Sequence, residues 1–157
     1  MLFRSARPAD ARRLATAHLD VVTYATIAEV SPGSAFSLVF EVTPRNGIHL
    51  YAPGAGKYKI VKVSLDPNSM LTADPVEYPE PEMYLFAPLK EIVPVFQRPF
   101  VLTERITVSG APEHRAALAK MTRITIKGTL DYQACDDRVC FLPASIPVSY
   151  TVKLRRP

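Results

Sequence analysis

The sequence predicts an all-β protein, an antiparallel sandwich or barrel with one short crossover helix, on three observations. Apolar residues alternate at period two in several runs, clusters of turn residues separate those runs, and a single internal stretch has helical character. A chain of 157 residues with 48% hydrophobic residues can bury one core without staples, since single domains commonly run to about 100–150 residues. Fifteen prolines against six glycines suit ordered turns and edge strands better than flexible low-complexity chain.

Residues 1–20 are rich in Arg and Ala and lack alternation, which predicts an N-terminal tail or short helix ahead of a domain at 21–155. VVTYATI (21–27) then fits a strand. FSLVFEV sets Phe36, Leu38, Phe40 and Val42 on one face, GIHLY (47–51) fits a short strand, and IVKVSL aligns Val61, Val63 and Leu65. SPGS, PRNG, APGAG and DPNS supply the turns. YPEPEMYLFAPLKEIVP (78–94) holds four prolines in 17 residues and is excluded as a central strand, because proline cannot donate to a ladder. Its apolar run Tyr84, Leu85 and Phe86 is expected to tuck under a loop or to cover something. EIVPVF (91–96) and VLTERITV (101–108) fit further strands. GAPEHRAALAK, with Pro112 and Glu113 at its start and Lys120 near its end, reads as a helix crossing between strands. RITIKGTLDYQ and SIPVSYTVKL close the series, aligning Ile124, Ile126, Leu130 and Tyr132, then Ile146, Val148, Tyr150, Val152 and Leu154.

The net charge of +4 comes from 19 Lys and Arg against 15 Asp and Glu, and part of it lies at the two ends. No basic stripe with interleaved aromatics runs through the patterned region, which argues against nucleic acid as a partner. No apolar run reaches the roughly 18 residues of a membrane-spanning helix. The opening MLFRSARPADARRLATAHLD contains no apolar core of the about 7–15 residues of an export signal.

Both cysteines lie in YQACDDRVCFLP, Cys135 and Cys140 separated by four residues. A metal site needs about four ligands, and His18, His49 and His114 stand at no ligand-like spacing, so no metal and no cofactor is expected. Two independent buried thiols would be separated by Asp136, Asp137 and Arg138, too polar a run for a core. A disulfide across a hairpin is favoured, because opposing hairpin residues come within its reach. So short a loop gains only about 2 kcal/mol from closure, so the spacing leans towards redox chemistry, with a structural staple left open. Asp136 and Asp137 disfavour a thiolate at Cys135, whereas Arg138 favours one at Cys140.

YQACDDRVCFLP, between strands containing TIKGTL and SIPVSYTV and preceded by FSLVFEVTP, GIHLYAPG and LKEIVPVF, resembles the N-terminal domain of the thiol:disulfide interchange protein DsbD family over roughly residues 20–154. The resemblance implies an immunoglobulin-like sandwich in the bacterial periplasm that accepts electrons from a thioredoxin-like donor and reduces oxidised partner proteins. It makes Cys135 and Cys140 the redox pair, with Cys140 forming the mixed disulfide. It also implies a cap loop with a shielding aromatic residue, for which Phe86 is the candidate and Tyr84 the runner-up. His49 and Tyr51 match aromatic positions facing the cysteines. Tyr132 is expected to shape the hairpin.

Two other classes compete. One is a non-catalytic sandwich that docks a redox or envelope protein, its disulfide pinning a binding hairpin. The other is metal handling, which requires Cys135, Cys140 and His49 to converge.

Overall fold

Period-two alternation builds two facing sheets, and short strands from the turn-rich segments build a third. The computed structural model describes residues 7–156. In chain order the strands are β1 (Arg12–Ala15), β2 (Leu19–Ala25), β3 (Glu29–Val30), β4 (Ala35–Pro44), β5 (His49–Tyr51), β6 (Lys62–Leu65), β7 (Leu71–Ala73), β8 (Glu82–Phe86), β9 (Glu91–Phe96) and β10 (Phe100–Val108). Helix α1 (Pro112–Ala119) follows, then β11 (Arg123–Tyr132), β12 (Ala134–Cys135) and β13 (Ala144–Leu154). The first sheet has the order β1-β2-β4-β10-β7 and the second β3-β13-β11-β6. All pairings are antiparallel except that of the two-residue β3 with β13.

The inward residues of both sheets form one cluster, including Leu38, Phe40, Leu102 and Ile106 from the first and Ile124, Leu130, Val148 and Val152 from the second. Phe40 meets Tyr150 edge-on across the interface, with ring centroids 5.9 Å apart. Each such buried side chain contributes roughly 1.5–3 kcal/mol. Helix α1 carries the chain from β10 in the first sheet to β11 in the second. Pro112 occupies its first turn with Glu113, and Leu118 is its buried residue. The expected antiparallel sandwich with one crossover helix is the fold observed.

Two expectations are corrected. Residues 12–20 form neither tail nor helix, for β1 and β2 make a hairpin there. Thr16 closes its turn, its hydroxyl bonding the Leu19 carbonyl at 2.9 Å and accepting from the Leu19 N–H at 3.1 Å. Arg12 and Arg13 are exposed on the outermost strand, where charge discourages pairing with another chain. Residues 1–6 of that expected segment lie outside the described residues.

The proline-rich stretch supplies β8 and β9 as a hairpin in a third sheet of order β12-β5-β9-β8. β8 is an edge, as prolines demand, yet β9 is paired on both sides despite Pro94. The Pro94 carbonyl accepts from the Ala52 N–H at 3.0 Å. A strand residue turns its C=O and N to the same side, so the missing donor faces β5 just past its end at Tyr51.

This third sheet has two buried faces. Leu50, Phe96 and Ala134 belong to the main core, whereas Tyr51, Val93, Val95 and Cys135 form a second cluster. Alternation along β5, β9 and β12 thus assigns every other residue to scaffold or site.

Candidate functional site

Cys135 ends β12 and lies directly across from His49 of β5. The chain then turns through Asp136, whose side chain accepts from the Arg138 N–H at 2.8 Å and the Val139 N–H at 2.7 Å. Its backbone N–H donates to the Val139 carbonyl at 2.9 Å. Such a turn satisfies its own polar groups, and the two backbone donors hold the Asp136 carboxyl below the usual range. Cys140 returns opposite Cys135, and the two are joined as a disulfide with Cα atoms 4.0 Å apart.

The two sulfurs occupy unlike surroundings. Cys135 is 1% exposed, within the second cluster, while Cys140 is an exposed residue of the turn. The Tyr51 hydroxyl lies 3.5 Å from Cys140 Sγ. A disulfide sulfur carries no hydrogen, so the hydroxyl is the donor. Burial, with Tyr58, Tyr84 and Glu91 adding to it, pushes the Tyr51 phenol up to about 12, so it remains a donor throughout the neutral range.

Four rings line this side of the sheet. Tyr58 stacks on Tyr51 with centroids 4.3 Å apart, Tyr51 meets His49 edge-on at 5.5 Å, and His49 lies against Tyr84 at 4.3 Å. Tyr84 projects from β8 and packs on the cluster containing Cys135. Phe86 is two residues further on, on the same face of β8 and half-buried, but it is not part of that cluster. Of the two residues expected as shields, Tyr84 is the one that packs against the cluster containing Cys135.

His49 is 3% exposed, and burial, only partly offset by Asp136, lowers its imidazole below the ordinary value. Burial thus favours its neutral form, and its cross-strand partner is Cys135. Arg138 sits exposed at the turn tip, and its backbone N–H donates to Asp136. Tyr132 belongs to the main core, its hydroxyl donating to Thr16 Oγ1 at 3.4 Å. The neighbouring Gln133 ties the hairpin by donating to the Phe141 carbonyl at 3.1 Å.

Tyr58 and Glu91 are site neighbours that sequence reasoning missed. The Tyr58 hydroxyl donates to Glu91 Oε2 at 2.7 Å. Among the described residues, no group of three or more His, Cys, Asp or Glu side chains is arranged to hold a metal ion. No helix among them is long and apolar enough to cross a membrane.

In the solved structures, the chain is similar to the N-terminal periplasmic domain of ScsB from Proteus mirabilis, with 15% identity and a TM-score of 0.61. That likeness, which bears on the fold, covers 87% of this chain and 49% of the other, so the chain spans about half the length of that structure. No curated protein sequence matches the chain. The family model described as thiol:disulfide interchange protein DsbD, N-terminal, matches residues 18–149. That match takes in nearly all of the sandwich and both halves of the disulfide, and on it the chain belongs to the DsbD N-terminal family.

Proposed function

We propose that the protein is a thiol-disulfide exchange module that accepts electrons from a thioredoxin-like donor and passes them to oxidised partner proteins through Cys135 and Cys140. The observation that carries this reading is the split between a buried Cys135 and an exposed Cys140 in one disulfide. A purely structural bond has no need of it. An exchanging bond does, because it makes one sulfur the point of attack and the other the leaving group.

A donor thiolate attacks Cys140 Sγ, the bond to Cys135 breaks, and Cys135 leaves with the electron pair and takes up a proton. The donor's second thiolate then attacks the donor sulfur of the mixed disulfide and releases Cys140. The pair has gained two electrons, and the donor has become the disulfide. In the onward step Cys140 attacks a partner disulfide and Cys135 resolves the adduct, reversing the balance. Tyr51 supports Cys140 as the charged sulfur, since a hydrogen bond to a thiolate favours it. Burial disfavours charge on Cys135.

Tyr84 serves as the shield, limiting small thiols while a docked protein displaces it. Exposed Val139 and Leu142, at 53% and 89%, offer apolar rim beside Cys140 for a protein partner. The periplasm, where the similar ScsB domain is described, is the proposed compartment, and it suits a persistent disulfide.

Equilibration with a glutathione buffer followed by thiol trapping tests this reading. A potential between about −270 and −120 mV is expected. In the single variants, Cys140 of Cys135→Ser should form a mixed disulfide with a thioredoxin-like protein, and Cys135 of Cys140→Ser should not. A pair below about −300 mV that stays inert in both tests would leave a structural bond in a docking module.

A further inference from the structure

The exchange mechanism leaves Tyr58, Glu91 and Lys57 without a role. Tyr58 belongs to the segment between β5 and β6, which is fixed to the sheet by the Val61 N–H on the Tyr51 carbonyl at 2.9 Å and by a bridge between Tyr51 and Ile60. Gly54 and Gly56 adopt positive φ there, which shapes the segment into a tight turn. Tyr58 is thus a fixed post, stacked on the tyrosine that touches Cys140.

Glu91 belongs to the opposite partner. It opens β9 immediately after the hairpin tip and pairs with Phe86 of β8. The base of the hairpin is anchored by the pairing of β9 with β5 and by Phe96 in the main core, whereas its outer half is held by its inner face. Met83, Leu85 and Ile92 on its outer face are 61–67% exposed, and the tip residues Ala87 to Lys90 are exposed. Near the tip, the side-chain bonds to the rest of the domain are those of Glu91, to Tyr58 at 2.7 Å and to Lys57 Nζ at 3.4 Å. The exposed lysine contact contributes little. The short phenol–carboxylate bond is charge-assisted, and it lies on the same face of the hairpin as Tyr84.

We propose that Tyr58 and Glu91 form a latch that keeps the β8–β9 hairpin, with Tyr84, closed on the buried Cys135 side of the disulfide. Both are positioning residues, which act on access to the sulfur and not on its chemistry. The inference rests on the exchange reading. A docking protein pulls the hairpin tip from its post and bares the Cys135 side of the bond, which the latched hairpin keeps buried while Cys140 stands at the surface.

The test is the rate of disulfide reduction by dithiothreitol in the intact protein, with the reduction potential measured alongside. Tyr58→Phe keeps the stacked ring and loses the bond, and Glu91→Ala loses the acceptor. Each should accelerate reduction about three- to tenfold, as expected for loss of one net hydrogen bond. The double variant should be no faster than the faster single one, and the potential should not move. Glu91→Gln, which still accepts from the phenol, should return towards the wild-type rate. Wild-type rates in both Tyr58→Phe and Glu91→Ala would overturn the latch while leaving exchange intact, as would acceleration accompanied by a shifted potential. A disulfide inert to thiols in every variant would instead overturn the exchange reading on which the latch depends.

Discussion

Glu104 faces inward from β10 between Leu102 and Ile106, only 7% exposed. Its Oε1 is buried and finds no hydrogen-bond partner among the described residues. Burial, with the negative charge of Asp74 adding to it, raises its carboxyl from the ordinary 4.5 to about 7. The unfolded chain therefore loses this proton at lower pH than the folded one, and stability falls as pH rises from about 4.5 to about 7, then levels. Glu104→Gln should remove roughly 2–3 kcal/mol of that slope, measured by urea unfolding at pH 5 and pH 8. His49 acts in the opposite sense, because its lowered value costs stability as pH falls below the ordinary 6.5. At this scale the sequence made the two cysteines legible, since only two exist and four residues separate them. It could not show which sulfur is sheltered, because that follows from the register of β12 on β5. Tyr58 and Glu91 left no signal, standing 33 residues apart in a turn and at a strand end.

The β8–β9 hairpin and the β6–β11 pair show how elements depend on local exceptions. Gly128 sits inside β11 opposite Leu65. A Cβ there would run into the Ser64 carbonyl oxygen, with Leu65 Cα 2.9 Å away. Both obstacles are backbone and cannot swing aside. Gly128→Ala should cost about 1–3 kcal/mol in denaturant unfolding, by prying β6 from its neighbour. Tyr84→Ala should speed reduction by small thiols more than Phe86→Ala does, because only Tyr84 packs on the cluster around Cys135. The long strands were legible because alternation persists over seven or more residues. β1, β3, β7 and β12 have two to four residues each, too few for a period to declare itself. β8 was hidden by flanking prolines that in fact only confine it to an edge.

The whole molecule divides its apolar residues between a large core spanning both sandwich sheets and a small cluster beneath the disulfide. Many buried side chains at roughly 1.5–3 kcal/mol each outweigh the about 2 kcal/mol that so short a cross-link supplies. Cys135→Ala/Cys140→Ala should accordingly keep its far-ultraviolet circular dichroism and unfold cooperatively, with a midpoint only a few degrees lower. The sandwich itself was legible in composition and alternation. Its third sheet was not, because that sheet joins three distant segments by pairing alone. The two-faced third sheet has an evolutionary consequence. One face of β5, β9 and β12 is committed to the sandwich core and the other to the cluster around Cys135, so the residues that hold the fold and those that surround the disulfide are different residues of the same strands. Under the proposed exchange function, selection on the sandwich interior and selection on the hairpin beside the disulfide therefore act on separate sets of residues.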